Sequence, residues 1–139
     1  MPADFQDLWQ HFLHGAGRPV AMCRRAPSPP LDVVERAAEI IIQVELAGVD
    51  PADIQVRCTP TQIEILGQRR ERNLGEAVRF HRKEIQDGML SVGVPLPAPV
   101  NPARARAEIH DGLLTVRLPK LKSLRSVRES RPLTLVIRM

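Results

Sequence analysis

Aromatic side chains are scarce in this chain of 139 residues, which contains three phenylalanines, one tryptophan and no tyrosine. Three of these residues, Phe5, Trp9 and Phe12, lie within the first twelve positions, and the fourth is Phe80. The core therefore has to be built from aliphatic residues. Because the rings are concentrated outside that core, the N-terminal segment is expected to have a separate role.

Cysteines and long apolar runs are also few. The two cysteines, Cys23 and Cys58, are too few for a disulfide framework or a zinc site, and each is predicted to be a lone thiol. Free thiols are typical of the cytosol, so a cytoplasmic location is expected. There is no run of about 18 apolar residues, so no transmembrane helix is predicted. Residues 1–14 lack the features of a secretory signal.

Positive charge is concentrated at one end of the chain. The net charge is +4, yet residues 1–118 hold 14 basic and 15 acidic residues, and six basic residues with one acid lie in residues 119–139. A nucleic-acid-binding domain would carry a basic face with base-stacking aromatics, which the tail lacks. The charge distribution therefore argues against nucleic acid as a partner. We interpret the tail as a solubilising extension.

The chain divides into an N-terminal arm with a proline-rich linker (1–30), a body (31–119) and a tail (120–139). Apolar residues alternate with polar ones through the body, as at Ile63 and Ile65, which indicates strands with one face on a core. Asp-Gly pairs between such runs indicate hairpins. The pattern predicts an all-β antiparallel sandwich. The predicted strands are 31–36, 38–46, 53–58, 61–69, 77–84, 88–95, 103–109 and 112–118.

Two of these segments are unusual. The prolines at 95, 97, 99 and 102 exclude a central strand between 95 and 102, because each removes a hydrogen-bond donor. The strand at 77–84 is too charged for a core strand. We expect it to be an excursion or an edge that pairs with something else.

Short motifs occur in a fixed order along the body. They are Leu46-Ala47-Gly48-Val49, Asp53-Ile54-x-Val56, Ile63-x-Ile65-x-Gly67-x-Arg69, Phe80-His81-Arg82-Lys83-Glu84, Leu96-Pro97, and Ala107-(x)4-Gly112-Leu113-Leu114-Thr115-Val116-x-Leu118-Pro119-Lys120. Each motif is weak alone, but the ordered set is specific, and over residues 31–120 it resembles the α-crystallin domain of small heat-shock proteins of bacterial type. One departure is Val92, which stands where the family usually has an arginine associated with the dimer contact.

The resemblance implies an immunoglobulin-like sandwich, with a flexible, partly helical arm and an extended tail, that dimerises and builds larger oligomers. In the bacterial type the excursion adds a strand to the partner's sheet, which satisfies unpaired backbone groups. The residues that the resemblance assigns to this exchange are Val78, Phe80, His81, Arg82 and Glu84, pairing with Val33 and Val34 of the partner subunit.

The family's tail carries an apolar-x-apolar motif that docks on a neighbouring dimer. Two registers fit this sequence, Leu133-x-Leu135 and Leu135-x-Ile137, and the sequence does not choose between them. By resemblance the receiving groove lies between strands 53–58 and 103–109. Its expected lining is Ile54, Val56, Ala105, Ala107 and Ile109, with Cys58 as a further candidate.

Five apolar residues of the arm recur at the spacing of an amphipathic helix; they are Phe5, Leu8, Trp9, Phe12 and Leu13. One interpretation is a helix packed permanently inside an oligomer. The other is an arm that binds the exposed apolar surface of unfolding client proteins. The two are compatible if subunit exchange uncovers the arm.

The function implied by the resemblance is an ATP-independent holdase chaperone, with itself and unfolding clients as partners. The alternative is a non-chaperone or co-chaperone-like module that docks on one specific partner. Cys58, His81 and His110 could be drawn into a nucleophile triad, and His11 with His14 into a metal site, but no further motif supports either. There is no phosphate-binding loop. We therefore expect no enzyme activity, catalytic residue, small-molecule substrate, metal or other cofactor.

Overall fold

The computed structural model describes residues 28–122 and 132–139, which form a sandwich of two β-sheets. Two short 3-10 turns, Pro51–Asp53 and Pro102–Arg104, precede β3 and β6. The strands are β1 (Leu31–Glu35), β2 (Glu39–Glu45), β3 (Ile54–Cys58), β4 (Gln62–Arg69), β5 (Gly88–Pro95), β6 (Arg106–His110), β7 (Leu113–Pro119), β8 (Leu133–Leu135) and β9 (Ile137–Arg138).

The strands are divided between a five-stranded sheet, in the order β1-β2-β7-β6-β9, and a four-stranded sheet, in the order β5-β4-β3-β8. Neighbouring strands are antiparallel, except that β9 runs parallel to β6. The predicted all-β sandwich is therefore confirmed. Within the described residues, no helix is long and apolar enough to cross a membrane.

The core lies between the sheets and is aliphatic, as the scarcity of rings predicts. Ile40, Ile42 and Val44 of β2 are fully buried, and Ile63 and Ile65 of β4 face them from the other sheet. Each fully buried side chain of this size contributes roughly 1.5–3 kcal/mol relative to exposure. The period-two pattern of the sequence therefore identified the inward face of both sheets.

Two predicted strands need correction. The segment 77–84 is not a strand, residues 70–86 are all exposed, and among the described residues this charged segment pairs with no sheet edge. The predicted strand 103–109 begins later, at Arg106, because the 3-10 turn Pro102–Arg104 occupies its start. The other predicted strands end within one or two residues of the observed boundaries.

The β6–β7 hairpin is held against the turn after β2. Asp111 and Gly112 both have positive φ, at 51° and 78°, as a two-residue hairpin turn requires. The amide of Leu46 donates to the carbonyl of Gly112 at 2.7 Å. A Cβ added at Gly112 would lie 2.9 Å from the Cα of Ala47. Two of the motifs noted in the sequence are thus the two sides of one backbone contact.

Gly112→Ala is expected to lower the midpoint of thermal unfolding by about 4–8 °C or more. Alanine resists positive φ by roughly 1–2 kcal/mol, and here its Cβ also meets backbone. Gly93→Ala is the matched control, since a Cβ there has no neighbour within 4 Å. Differential scanning calorimetry checks the prediction, and equal losses in the two variants would contradict it.

Candidate tail-docking and subunit-contact site

The two sheets each end in an edge strand that the tail covers, β3 in one sheet and β6 in the other. Alternation directs Ile54, Val56 and Cys58 of β3 inward, and Ala107 and Ile109 of β6 do the same. Ala105, just before β6, packs against this cluster. The groove residues expected from the sequence are therefore brought together at one side of the sandwich.

The tail crosses from one edge to the other. β8 pairs antiparallel with β3, with Leu135 opposite Val56. β9 pairs parallel with β6, with Ile137 opposite Ala107. Val136, between the two short strands, is 84% exposed. A few tail residues thus form hydrogen bonds with the edge strands of both sheets. The sequence did not indicate that the tail would seat in the groove of its own chain.

The structure distinguishes the two tail registers that the sequence left open. Leu135 and Ile137 pack against the core, whereas Leu133 is 41% exposed. Side chains two positions apart point to the same side of an extended segment, and the change of sheet at Val136 brings Ile137 to the second edge. The register seated here is Leu135-x-Ile137.

The residues assigned to strand exchange lie on exposed surfaces. Within the described residues β1 pairs with β2 alone, and Val33 and Val34 are 40% and 44% exposed. In the excursion, Val78 and Phe80 are 51% and 48% exposed. The single chain does not bring the excursion to β1, so the proposed exchange needs a second copy.

Ion pairs in and beside the excursion are local, and the pair of Arg82 with Glu84 is exposed on both sides, whereas Asp87 is only 19% exposed in its pair with Lys83. Arg82 contacts Glu84 at 3.0 Å, and Lys83 contacts Asp87 at 2.9 Å and lies 5.2 Å from the ring centre of Phe80. His81 is exposed. An exposed pair such as Arg82 with Glu84 contributes little to stability, so this part of the excursion can adapt to another surface.

Arg69 and Arg70 fix the start of the exposed segment 70–86, which contains the excursion, and the sequence pattern did not indicate the role of either. Arg69 donates from Nε to the carbonyl of Ala47 at 3.0 Å and from Nη1 to the carbonyl of Gln86 at 2.8 Å. Arg70 makes a two-pronged contact with Asp53, with Nε–Oδ2 and Nη2–Oδ1 distances of 2.7 and 2.9 Å. Asp53 and Arg69 belong to the quoted motifs, and a charge within an apolar motif is the signal that could have identified them.

The environment of Asp53 stabilises its charged form. The hydrogen bonds from Arg70 lower the pKa of the Asp53 carboxyl, against the opposing effect of burial, and the same contact raises the pKa of Arg70. The Asp53 side chain is 10% exposed. The contact therefore links Arg70, the first residue of the exposed segment 70–86, to the residue that precedes β3.

Cys58 shows no sign of reactive chemistry. Its side chain is fully buried, Sγ donates to the carbonyl of Thr59 at 3.2 Å, and burial raises the pKa of the thiol to about 12. The thiol is thus protonated at neutral pH, whereas a nucleophilic cysteine needs a thiolate. The structure therefore gives no support to a triad of Cys58 with His81 and His110. Within residues 28–122 and 132–139 no cluster of three metal-ligating side chains occurs.

Several residues singled out in the sequence lie outside the described residues. They are the apolar stripe of the arm, Phe5, Leu8, Trp9, Phe12 and Leu13, together with His11, His14 and Cys23. The division of the chain at residues 30 and 119 also stays a prediction.

A two-sheet sandwich with an exposed excursion and an apolar tail across both edge strands has the architecture of an α-crystallin domain. The profile of the Hsp20/alpha crystallin family matches residues 32–132. The chain belongs to this family, which confirms the resemblance seen in the sequence and implies a chaperone function.

Relatives and solved structures agree with this assignment. Spore protein SP21 of Stigmatella aurantiaca is 34% identical over 92 residues, which cover 66% of this chain and 54% of the relative. Heat shock protein 16 of Schizosaccharomyces pombe is 28% identical over 130 residues, covering 92% and 91%. The chain thus spans about half the length of one relative and nearly all of the other.

Two solved structures share the fold along most of their length. Heat shock protein 16.0 from Schizosaccharomyces pombe superposes with a TM-score of 0.69 at 26% identity, covering 94% of this chain and 93% of that structure. The hspA structure from Xanthomonas axonopodis gives 0.61 at 28% identity, covering 68% and 94%.

Asp53→Asn is expected to lower the unfolding midpoint at neutral pH and to match the wild type in acid. Because the folded-state pKa of Asp53 is depressed, its contribution to stability is present above the unfolded pKa of about 3.9 and is lost as pH falls through the folded value. The midpoint difference between the two proteins should be constant from about pH 5 to 8 and shrink below about pH 4.

Thermal melts of both proteins across this pH range check the prediction. Asp32→Asn, on the exposed face of β1, is the control and should track the wild type throughout. A wild-type advantage over Asp53→Asn that persists undiminished at pH 3 would contradict the assignment.

Proposed function

We propose that this protein is an ATP-independent holdase that binds non-native proteins and prevents their aggregation under stress. The observation that carries the proposal is the seating of the tail, in which five strand residues cover the apolar groove between β3 and β6. The groove is suited to extended, apolar polypeptide. An unfolding protein offers segments of the same kind, so it can take the place of the tail.

The energetics of the tail contact favour reversible release. Burying Leu135 and Ile137 contributes roughly 1.5–3 kcal/mol each at most, whereas ordering one backbone residue costs about 1–2 kcal/mol. Since the entropic cost grows with temperature, heating displaces the tail before it unfolds the sandwich. The groove is then uncovered under the conditions in which clients unfold.

Recognition through a sheet edge accounts for broad client choice. The edges of β3 and β6 bind by main-chain hydrogen bonds, which every polypeptide can supply, and the core-facing groove accepts apolar side chains without a fixed sequence. The arm, with its stripe of aromatic and aliphatic residues, adds a second apolar surface. The proposal requires no nucleotide, cofactor or catalytic group.

Self-association is the second part of the proposal. The exposed excursion and the edge of β1, which has no second neighbour among the described strands, would pair between two copies to form a dimer. Tails that seat in the grooves of neighbouring dimers would build the larger oligomer. We expect the tail of one chain to seat in the groove of another chain with the same Leu135-x-Ile137 register. We place the working protein in the cytoplasm, in keeping with Cys58, which forms no disulfide in the described part of the chain.

One observation favours the alternative of a module that binds one specific partner. The tail reaches the chain's own groove, so a monomer could cover its edges without a neighbour. Such a module would be a monomer or a plain dimer. The two functions are distinguished by native mass and by client protection.

Leu135→Ser/Ile137→Ser is expected to reduce the oligomer to dimers or small species while leaving the sandwich folded, because it removes both side chains seated in the groove. Val136→Ser is the matched control, since Val136 is 84% exposed and contributes little to the contact. Light scattering measures the mass. If the double variant has the same mass as the wild type, docking of the tail does not build the oligomer.

Phe5→Ser/Trp9→Ser/Phe12→Ser is expected to reduce protection of a heat-denatured reporter enzyme at least about two-fold, since apolar burial drives the capture. Gln6→Ser/Gln10→Ser, on the polar side of the same segment, should protect as well as the wild type. Turbidity at equal subunit concentration and without ATP measures protection. Undiminished protection by the triple variant would refute a client-binding role for the arm.

A further inference from the structure

A recess of about 290 Å³ remains open beside the tail when the tail is seated on β6. Small apolar residues, Pro102, Ala103 and Ala105, form part of its lining. Arg106 of β6 and Arg138 of β9 also line it. One side of the recess thus belongs to the sandwich and the other to the tail, so the recess is complete only while the tail is seated.

The two arginines lie on the solvent side of the five-stranded sheet. Arg106 precedes Ala107 on β6, Arg138 follows Ile137 on β9, and both apolar neighbours pack with the core. Because successive side chains along a strand point to opposite faces, the two arginines point away from the core. Both are exposed, so both side chains are accessible to a partner.

Positive charge at the recess is not balanced within the described part of the chain. Arg104, in the 3-10 turn that also contains Ala103, is a third exposed arginine at this place. Among the described residues, no salt bridge includes Arg104, Arg106 or Arg138. Glu108 lies opposite Arg138 and is exposed, yet it too forms no salt bridge among these residues. Three guanidinium groups therefore remain available to an anion.

The position of Arg106 carries a cost that an anion would offset. Arg106 lies directly opposite Arg117 on β7, and like charges directly opposite each other destabilise a sheet. Glu39 contacts Arg117 at 3.0 Å, which compensates one member of the pair. A carboxylate bound at Arg106 would compensate the other member. It would therefore be held more firmly there than at an isolated surface arginine.

The chemistry of the recess favours a polypeptide carboxylate over nucleic acid. A guanidinium group binds a carboxylate through two parallel hydrogen bonds. The apolar part of the lining accepts an aliphatic side chain beside that carboxylate. Single-stranded nucleic acid is bound through aromatic rings on which the bases stack. Phe80, in the excursion, is the one aromatic residue among those that the structure describes. The recess therefore suits an extended polypeptide that carries acidic and aliphatic residues.

We propose that this recess binds an acidic, extended segment of another polypeptide, with the carboxylates of the segment on Arg106 and Arg138. An aliphatic side chain of the segment would contact Pro102 and Ala103, and Arg104 would add to the attraction. Since Arg138 belongs to the tail, the resting protein presents the site and release of the tail dismantles it. Binding of the segment and seating of the tail are therefore coupled, and each strengthens the other.

The site gives the proposed holdase a preference for acidic clients, and this consequence rests on the proposed function. An acidic segment would be held beside the closed groove before heating releases the tail. Its client would then start close to the surface that captures it. The binding itself does not depend on the proposed function and can be measured without a client.

Peptide binding to the full chain tests the proposal. The probe is a labelled peptide of alternating glutamate and valine, and fluorescence anisotropy gives its Kd. Arg106→Gln/Arg138→Gln should raise the Kd at least about five-fold, because it removes two charge-assisted contacts. Arg72→Gln/Arg79→Gln removes equal charge from the exposed segment 70–86 and should leave the Kd within about two-fold of the wild type. Equal weakening in the two variants would indicate general attraction to a basic chain and would overturn the proposal.

Two other probes in the same assay test the chemistry of the partner. A peptide of alternating lysine and valine should bind at least about five-fold more weakly than the glutamate peptide, because it meets the arginines with like charge. Oligothymidylate of the same charge as the glutamate peptide should also bind more weakly. Equally tight binding of the lysine peptide, or tighter binding of the oligothymidylate, would overturn the proposal.

Leu135→Ser/Ile137→Ser tests whether the seated tail completes the site. It should raise the Kd of the glutamate peptide, because it unseats the tail that carries Arg138 without changing the charge of the chain. An unchanged Kd would overturn the proposal. Protection of a heat-denatured reporter enzyme by the wild type tests the holdase function separately. Loss of protection alongside intact peptide binding would refute that function and leave the site in place.

Discussion

Unpaired backbone groups at the edges of two open sheets are the constraint on which the rest of this structure depends. A sandwich of separate sheets has four edges, and an exposed edge is a template for another chain. Here the tail covers two of them, β3 and β6, with a short strand on each. The edge of β1 is left for a partner strand in the proposed dimer. In the proposed function, assembly and client binding then compete for the same backbone N–H and C=O groups at the sheet edges.

Hydrogen bonds hold the start of the exposed segment 70–86 in place, whereas the excursion itself is exposed to solvent. Arg69 joins the end of β4 to both Gln86 and the turn at Ala47, and Arg70 anchors the same point to Asp53. The tip carries exposed apolar residues and local ion pairs. Such a division holds the direction of the excursion fixed while leaving its surface able to pair with a second copy.

Much of the fold could be predicted because inward and outward positions alternate strictly along the body. Ile63 and Ile65 were assigned to the core by alternation alone, and both are buried. The turn at Asp111-Gly112 could be predicted because few residues accept positive φ. These are local properties, and local sequence is sufficient to determine them.

The features that the sequence did not determine depend on contacts distant along the chain. The charged segment 77–84 has the composition of an edge strand, but among the described residues it pairs with no strand. The choice of Leu135-x-Ile137 depends on the tail changing sheets at Val136, which alternation cannot reveal. The pairing of Asp53 with Arg70 spans 17 positions and follows from the path of the excursion.

Hydrogen–deuterium exchange at β3, β6 and the tail tests the central claim most directly. The account predicts that amides of residues 54–58, 106–110 and 133–138 are protected at rest. It predicts that the amides of residues 133–138 and those amides of β3 and β6 that face the tail lose protection together on heating, below the unfolding transition of the sandwich, whereas the amides that face β4 and β7 stay protected until the sandwich unfolds. The tail-facing amides of β3 and β6 should regain protection when an unfolding client is added. Edges that stay protected until global unfolding, or that a client fails to protect, would contradict the account.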